Sequence, residues 1–282
     1  MMGKRSAAPF IVWMALFTIV PLAMVVWFAF TDASGNWTFD NILAIGDYAE
    51  TFLSSIAMGA VATLICLVLA YPLAYSISRS SERVQQTMVM IIMLPMWMNF
   101  LLRTYAWMSL LENNGFINQF LGLLGIGPLH MINTKGAIVL GMVYNFLPFM
   151  VLPLYSVMVK IDASVIEAAQ DLGASFWNVL RRVLLPLSMP GIVTGITMVF
   201  VPAVSTFVIS KLLGGGKEMM IGDVIEMLFV GNAPNYNVGA ALSLILMVLI
   251  LICMGITSLV DKDEEEIGGM MALKPCQRFT TP

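Results

Sequence analysis

Few side chains in this sequence are placed to do chemistry. Gly214-Gly215-Gly216-Lys217 has the outline of a phosphate loop, but that pattern needs Gly at 211 and Ser or Thr at 218, where Lys211 and Glu218 stand. His130 is the single histidine, so a metal site is not expected around it. Cys66 and Cys253 sit inside apolar runs and Cys276 lies in the tail, which is neither a disulfide framework nor a ligand cluster. No Asp or Glu falls in the middle of an apolar run. The sequence therefore lacks both the midplane carboxylate of an ion-driven carrier and the convergent titratable groups of an enzyme.

The best organised spacing is mechanical instead. Residues 167–191 read EAAQDLGASFWNVLRRVLLPLSMPG. Ser164 stands three residues before Glu167, the capping-box spacing, and is expected to start a helix there. Ala168 and Ala169 favour that helix and let another surface approach its backbone. Gly173 can end it in the left-handed conformation without a Cβ penalty. Ser175 is expected to cap a second helix, in which Phe176, Trp177, Val179, Leu180, Val183 and Leu184 form an apolar face while Arg181 and Arg182 reach water or lipid phosphate. Pro186 and Pro190 interrupt it as the chain re-enters the membrane. The residues alone leave two readings open, a docking element for another protein and an amphipathic loop resting at the interface.

The elements that must position this stretch are membrane spans. Of the 282 residues, 59% are hydrophobic and 11% charged, with a mean hydropathy of +0.89; soluble domains have about 45–50% apolar and about 25% charged residues. Six runs are long enough to cross the hydrocarbon core, at 10–30, 54–78, 87–111, 136–159, 190–211 and 239–260. The first outlasts the hydrophobic region of a signal peptide and ends in Trp27, Phe28 and Phe30 rather than a small-residue cleavage site, so it reads as a retained span. With the N-terminus in the cytoplasm, Lys4, Arg5, Arg79, Arg83, Lys160, Arg181, Arg182, Lys262, Lys274 and Arg278 lie inside and Lys135, Lys211 and Lys217 outside, as the positive-inside rule requires. Both termini and the loop at 160–189 are then cytoplasmic. The expected organisation is a membrane domain over 1–260 and an acidic cytoplasmic tail over 261–282, whose DKDEEE run at 261–266 ends the last helix. A net charge of -3 gives no sign of nucleic-acid binding.

Within the spans, Arg103 is an intramembrane charge, read as structural, snorkelling outward or pairing across helices. Pro148, Pro153 and Pro202 remove backbone hydrogen bonds, which is tolerated beside a cavity. Near them Asn99, Tyr105, Trp107, Tyr144, Asn145, Thr206 and Phe207 are the polar and aromatic groups available to a cationic solute, or to ordinary helix packing. Asp223 and Glu226 in an outer loop either attract cations or simply face water or a binding protein. The 24 methionines read as lipid-facing or core filler.

Glu167-Ala168-Ala169, three residues, Gly173, nine residues, Val183, one residue and Leu185-Pro186 resemble the EAA signature of the membrane-spanning permease subunits of bacterial ABC importers, with Val183 in place of the usual Ile. The resemblance implies an all-α integral membrane protein of the bacterial cytoplasmic membrane, with six transmembrane helices, the type I ABC importer permease fold and a cytoplasmic coupling helix. It implies that Glu167, Ala168, Ala169, Asp171, Leu172, Gly173, Ala174, Val183, Leu185 and Pro186 dock in a groove of a separate ATP-hydrolysing subunit. The segments NFLLRTYAW, YNFLPFMVLPLYSVM, RRVLLPLSMPGIVTG and LLGGGKEMMIGDVIEMLF are similar to the first of the two unlike permeases of spermidine/putrescine importers. Two places depart from that pattern: Lys211 stands where relatives often carry an acid, and Pro234-Asn235-Tyr236-Asn237 where they carry Trp-Pro. The implied partners are a second, unlike permease, two copies of an ATPase that holds ATP and Mg, and an extracytoplasmic substrate-binding protein. The chain itself is expected to hold no cofactor and to catalyse no reaction. The alternatives weighed against this are an ion-coupled secondary transporter and a permease for another small solute.

Overall fold

The computed structural model of the chain describes residues 8–272, so Lys4, Arg5 and Cys276 and the end of the tail lie outside the described residues. In chain order the elements are α1 (Ala8–Ala29), α2 (Asp40–Leu43), a 3₁₀ turn (Ala44–Tyr48), α3 (Ala49–Ser78), α4 (Glu82–Met93), a 3₁₀ turn (Leu94–Trp97), α5 (Phe100–Leu111) and α6 (Phe116–Leu123). Then come α7 (Lys135–Met158), α8 (Ala163–Asp171), α9 (Phe176–Val179), a π-helical turn (Leu180–Leu184), α10 (Leu185–Leu187), α11 (Met189–Ser205), α12 (Val208–Leu213), α13 (Ile221–Val230) and α14 (Tyr236–Ala272). The described residues are all-α apart from one isolated bridge between Thr31 and Trp37.

Four helical stretches are long and apolar enough to cross a membrane, and two bent pairs raise the number to the expected six. The bent pairs correct the sequence reading. The third span is not one helix over 87–111: Glu82–Trp97 and Phe100–Leu123 meet at 88°. Pro95 tightens the chain into a 3₁₀ turn, Met98 is extended, and Asn99 then caps a new helix by accepting from the Leu101 and Leu102 amides at 2.8 and 3.4 Å. The fifth span stops at Ser205 rather than 211, because Thr206 is extended before α12 begins. The Ser205 and Thr206 carbonyls left at that end approach Gly222 so closely that a Cβ there would sit 2.7 and 2.6 Å from them. The last helix, expected to end at the acidic run, continues through it to Ala272, since Glu and Lys favour helix and nothing in DKDEEE breaks one.

The core is a three-helix seam of α3, α7 and α11. Helix α3 presents Ala62, Cys66, Ala70 and Ala74, all fully buried at four-residue spacing, to Met142, Met150, Leu154 and Met158 of α7 and to Val199 and Ala203 of α11. Small residues let the backbones approach, as expected where lipid offers no hydrophobic drive for helix association. Some methionines therefore are core filler, as read from the sequence. Pro72, Pro148, Pro153 and Pro202 all lie inside continuous helices of this seam. By contrast α1 is largely exposed and packs against α14 through Ala29, Ala240 and Ala241.

Candidate functional site

The segment between α7 and α11 builds a compact projection from one end of the seam. Its first helix starts two residues earlier than the capping-box spacing suggests. Asp162, not Ser164, is the N-cap of α8: its Oδ1 accepts from the Ser164 amide at 3.0 Å. An ionised carboxylate before Ala163 satisfies a free amide and faces the positive end of the helix dipole, so it outcompetes the hydroxyl two positions on. Hydrogen bonds from Ser164, with a smaller contribution from the charge of Arg79, hold the Asp162 carboxyl below the usual range. Accordingly, Asp162→Ala should speed amide exchange across α8 severalfold while Ser164→Ala should not, measured by hydrogen exchange on the membrane-embedded protein.

Gly173 ends α8 as the sequence requires. Its φ is +80°, its amide donates to the Gln170 carbonyl at 2.8 Å, and the next amide, Ala174, reaches back to Ala169 at 3.1 Å. This is the paired closure of a Schellman motif. After the bend, Ser175 sits at the cap position of α9 in extended conformation but makes no side-chain cap bond. The helix then widens into the π turn before Pro186, which lacks an amide to continue the regular ladder, and it bends 69° into α11 at Ser188.

A small cluster anchors the projection. Ile166, Val179 and Leu184 are buried, and Ala169, Ala174, Leu180, Val183 and Tyr75 pack around them. Ala169, Ala174 and Val183 of the signature thus face this support in part, whereas Glu167, Ala168, Asp171, Leu172, Gly173, Leu185 and Pro186 are exposed. Leu172 is 90% exposed at the tip. Of the expected apolar face, Val179 and Leu184 are buried, Leu180 and Val183 are half-buried, and Phe176 and Trp177 are exposed. Arg181 and Arg182 are exposed, as read.

Side-chain contacts group the loops by end of the bundle. Arg79 bonds the carbonyls of Met158 and Ile161, placing the α3–α4 turn beside the projection, while Lys135 and Glu218 pair at 3.6 Å at other loops.

The seven residues considered for a solute pathway do not converge. Trp107 and Tyr144 meet edge-to-face with centroids 5.3 Å apart. Asn99 is an exposed helix cap and Tyr105 is exposed. Asn145 is buried; its Nδ2 donates to Gly141 in its own helix and its Oδ1 has no partner. Thr206 and Phe207 lie at the α11–α12 break, and Phe207 lines a cavity of about 390 Å³ with Ile225, Leu246 and Ile250, which the other six do not line.

Three charged positions also differ from their reading. Arg103 pairs with no carboxylate among the described residues: it is 8% exposed, lies over the Phe100 ring at 6.0 Å, and its Nε and Nη1 have no partner there. The reason is the 88° bend, which puts Arg103 one turn into a new helix instead of far along a straight span. Asp223 is in helix α13, not a loop, and is 7% exposed; its Oδ2 accepts from the Met220 amide at 2.8 Å and burial pushes its carboxyl up. Glu226 is bonded through both oxygens by Lys211 Nζ, each at 2.9 Å, so the cation that departs from the family pattern is neutralised within the chain. The glycines of the GGGK stretch serve this turn, Gly215 and Gly216 taking φ of +58° and +73°.

Sequence reasoning missed the cap at Asp162, the Tyr75 support and the Lys211–Glu226 pair. Asp directly before a helix former was a readable cap signal. The other two join residues far apart along the chain and left no local signal.

Residues 67–265 match the family described as Binding-protein-dependent transport system inner membrane component. The chain is 39% identical over 247 residues to the spermidine/putrescine transport system permease protein PotB of Salmonella typhimurium (strain SL1344), spanning 84% of this chain and 86% of that one. To the protein of the same description from Escherichia coli (strain K12) it is 38% identical over 247 residues, 84% of this chain and 90% of that one. Among solved structures, a chain of the bacterial alginate ABC transporter in complex with an alginate pentasaccharide-bound periplasmic protein superposes with a TM-score of 0.75 at 16% identity, covering 90% of this chain and 91% of that one.

Proposed function

Because the chain belongs to the binding-protein-dependent transport system inner membrane components, we propose that it is the permease of an ATP-driven importer whose cargo is a polyamine such as spermidine or putrescine. It is an integral inner-membrane subunit and not itself an enzyme; ATP hydrolysis lies in a separate subunit, and such permeases work with another permease and a substrate-binding protein. The observation that carries the cargo is the 36–39% identity to spermidine/putrescine permeases over most of the chain. The ion-coupled carrier weighed from the sequence is not favoured by this family.

In finer detail, the second permease is an unlike subunit, two ATPase copies hold ATP and Mg, and both termini face the cytoplasm. The projection at 160–189 is the coupling element: a rigid helix whose exposed face, Glu167, Ala168, Asp171 and Leu172, enters a groove of the ATPase. Closure of the motors around ATP would push α8, and the anchored cluster would pass that displacement to the seam. The cationic cargo would cross beside α5 and α7, where Trp107 and Tyr144 offer aromatic faces.

The test is ATP hydrolysis by the reconstituted complex, with binding protein loaded with spermidine, an amino acid or an anion. Stimulation by spermidine alone is expected. Stimulation by another cargo would keep the importer and remove the polyamine, and absence of any ATPase partner would overturn the reading.

A further inference from the structure

Two of the three seam helices are covalently joined to the projection: α7 runs into it and α11 leaves it. The third, α3, has no such link. Its end beside the projection meets it only through side chains: Tyr71 and Ser188 share a hydroxyl hydrogen bond at 3.1 Å, Tyr75 packs on the cluster, and Arg79 alone reaches backbone carbonyls there. Arg79, the C-cap residue of α3, donates from Nη1 to the Ile161 carbonyl at 3.1 Å and from Nη2 to the Met158 carbonyl at 3.3 Å, gripping the last residue of α7 and the linker into α8. A cation here faces the negative end of the α7 dipole. The guanidinium lies over the Tyr75 ring at 5.8 Å, and that ring packs on the Ile166, Val179 and Leu184 cluster beneath both halves of the projection. A second brace stands beside it: Tyr155 of α7 donates to Gln85 Oε1 at 3.0 Å, while Gln85 Nε2 bonds the carbonyls of Ser78 and Ser80.

We propose that Arg79 is the positioning residue that couples α3 to the coupling element, so that a push on α8 moves α3 together with α7 and α11 as one body. This rests on the permease reading above. Without the clamp, α8 would still drag the two helices it is joined to, but α3 would slip against them at its cytoplasmic end. The motor would then turn over without fully reshaping the pathway. The fork geometry matters: a guanidinium reaches two carbonyls at once, while an ammonium is a single point of charge.

The experiment compares wild type, Arg79→Ala and Arg79→Lys in the reconstituted whole complex, reading bound ATPase, basal hydrolysis and spermidine transported per ATP hydrolysed. Arg79→Ala should retain motor binding and basal hydrolysis while transport per ATP falls about tenfold, within the roughly 5–150-fold span typical of coupling between sites. Arg79→Lys should recover part of it. Wild-type stoichiometry in Arg79→Ala would overturn the proposal, and so would loss of motor binding, basal hydrolysis and transport in equal proportion, which marks a merely structural role. Should Arg79→Ala fail to assemble, Arg79→Lys decides alone: full motor binding with severalfold lower transport per ATP supports the clamp, and wild-type stoichiometry removes it. A wild-type complex with no ATPase activity at all would overturn both the clamp and the permease reading, and is recognised before any variant is compared.

Discussion

Gly173→Val should abolish most cargo-stimulated ATP hydrolysis while leaving the subunit in the membrane. Gly173 has φ of +80° and nothing within 4 Å of where its Cβ would be, so the constraint is torsional and not steric crowding. An L-residue in that conformation costs about 1–2 kcal/mol, and a β-branched one is a genuine outlier. Valine would therefore open the Gln170–Gly173 and Ala169–Ala174 closures and swing the exposed tip around Leu172 off its anchored position. Stimulated hydrolysis should drop by about tenfold or more, the scale of a lost coupling of about 1.4 kcal/mol. Asparagine tolerates the left-handed region, so Gly173→Asn should remain close to wild type. Glu167→Ala, which keeps the helix but removes an exposed carboxylate, should weaken retention of the ATPase on the purified permease pair. Equal activity of the Val and Asn variants would sink the torsional argument, and unchanged retention in Glu167→Ala would remove that residue from the docking face.

The second large effect lies inside the seam. A Cβ at Gly191 would stand 2.9 Å from the Pro153 carbonyl oxygen and 3.2 Å from Leu154 Cα, both backbone atoms of α7 that cannot step aside. Gly191→Ala should separate α7 from α11 just where they enter and leave the projection, at about 1–3 kcal/mol for the overpacking. The thermal midpoint of the purified complex and the yield of assembled complex should both fall. At Gly195 the nearest atom is the Met150 Sδ at 2.6 Å, part of a flexible side chain, so the same change should cost less there. Gly255→Ala, with nothing within 4 Å, should be neutral. A Gly191→Ala complex as stable as Gly255→Ala would show that the helices approach less closely than 2.9 Å implies.

Membrane class, the number of spans and the outline of the projection were legible along the chain, because these rest on local physics. An apolar run of sufficient length crosses a bilayer, and a glycine free to take positive φ closes the helix before it. Gly173 and the identity of the signature were legible for that reason. The remainder depends on which distant groups share a place. Whether Arg103 runs along a straight helix or starts a bent one turned on how the break at Met98 and Asn99 packs. Lys211 looked like an unhelpful cation until Glu226, 15 residues on, closed over it, and Asp223 looked exposed until α13 buried it. The hold of Arg79 on a carbonyl 82 residues away is of the same kind: periodicity fixes which side of a helix a residue occupies, and only packing fixes what it meets there.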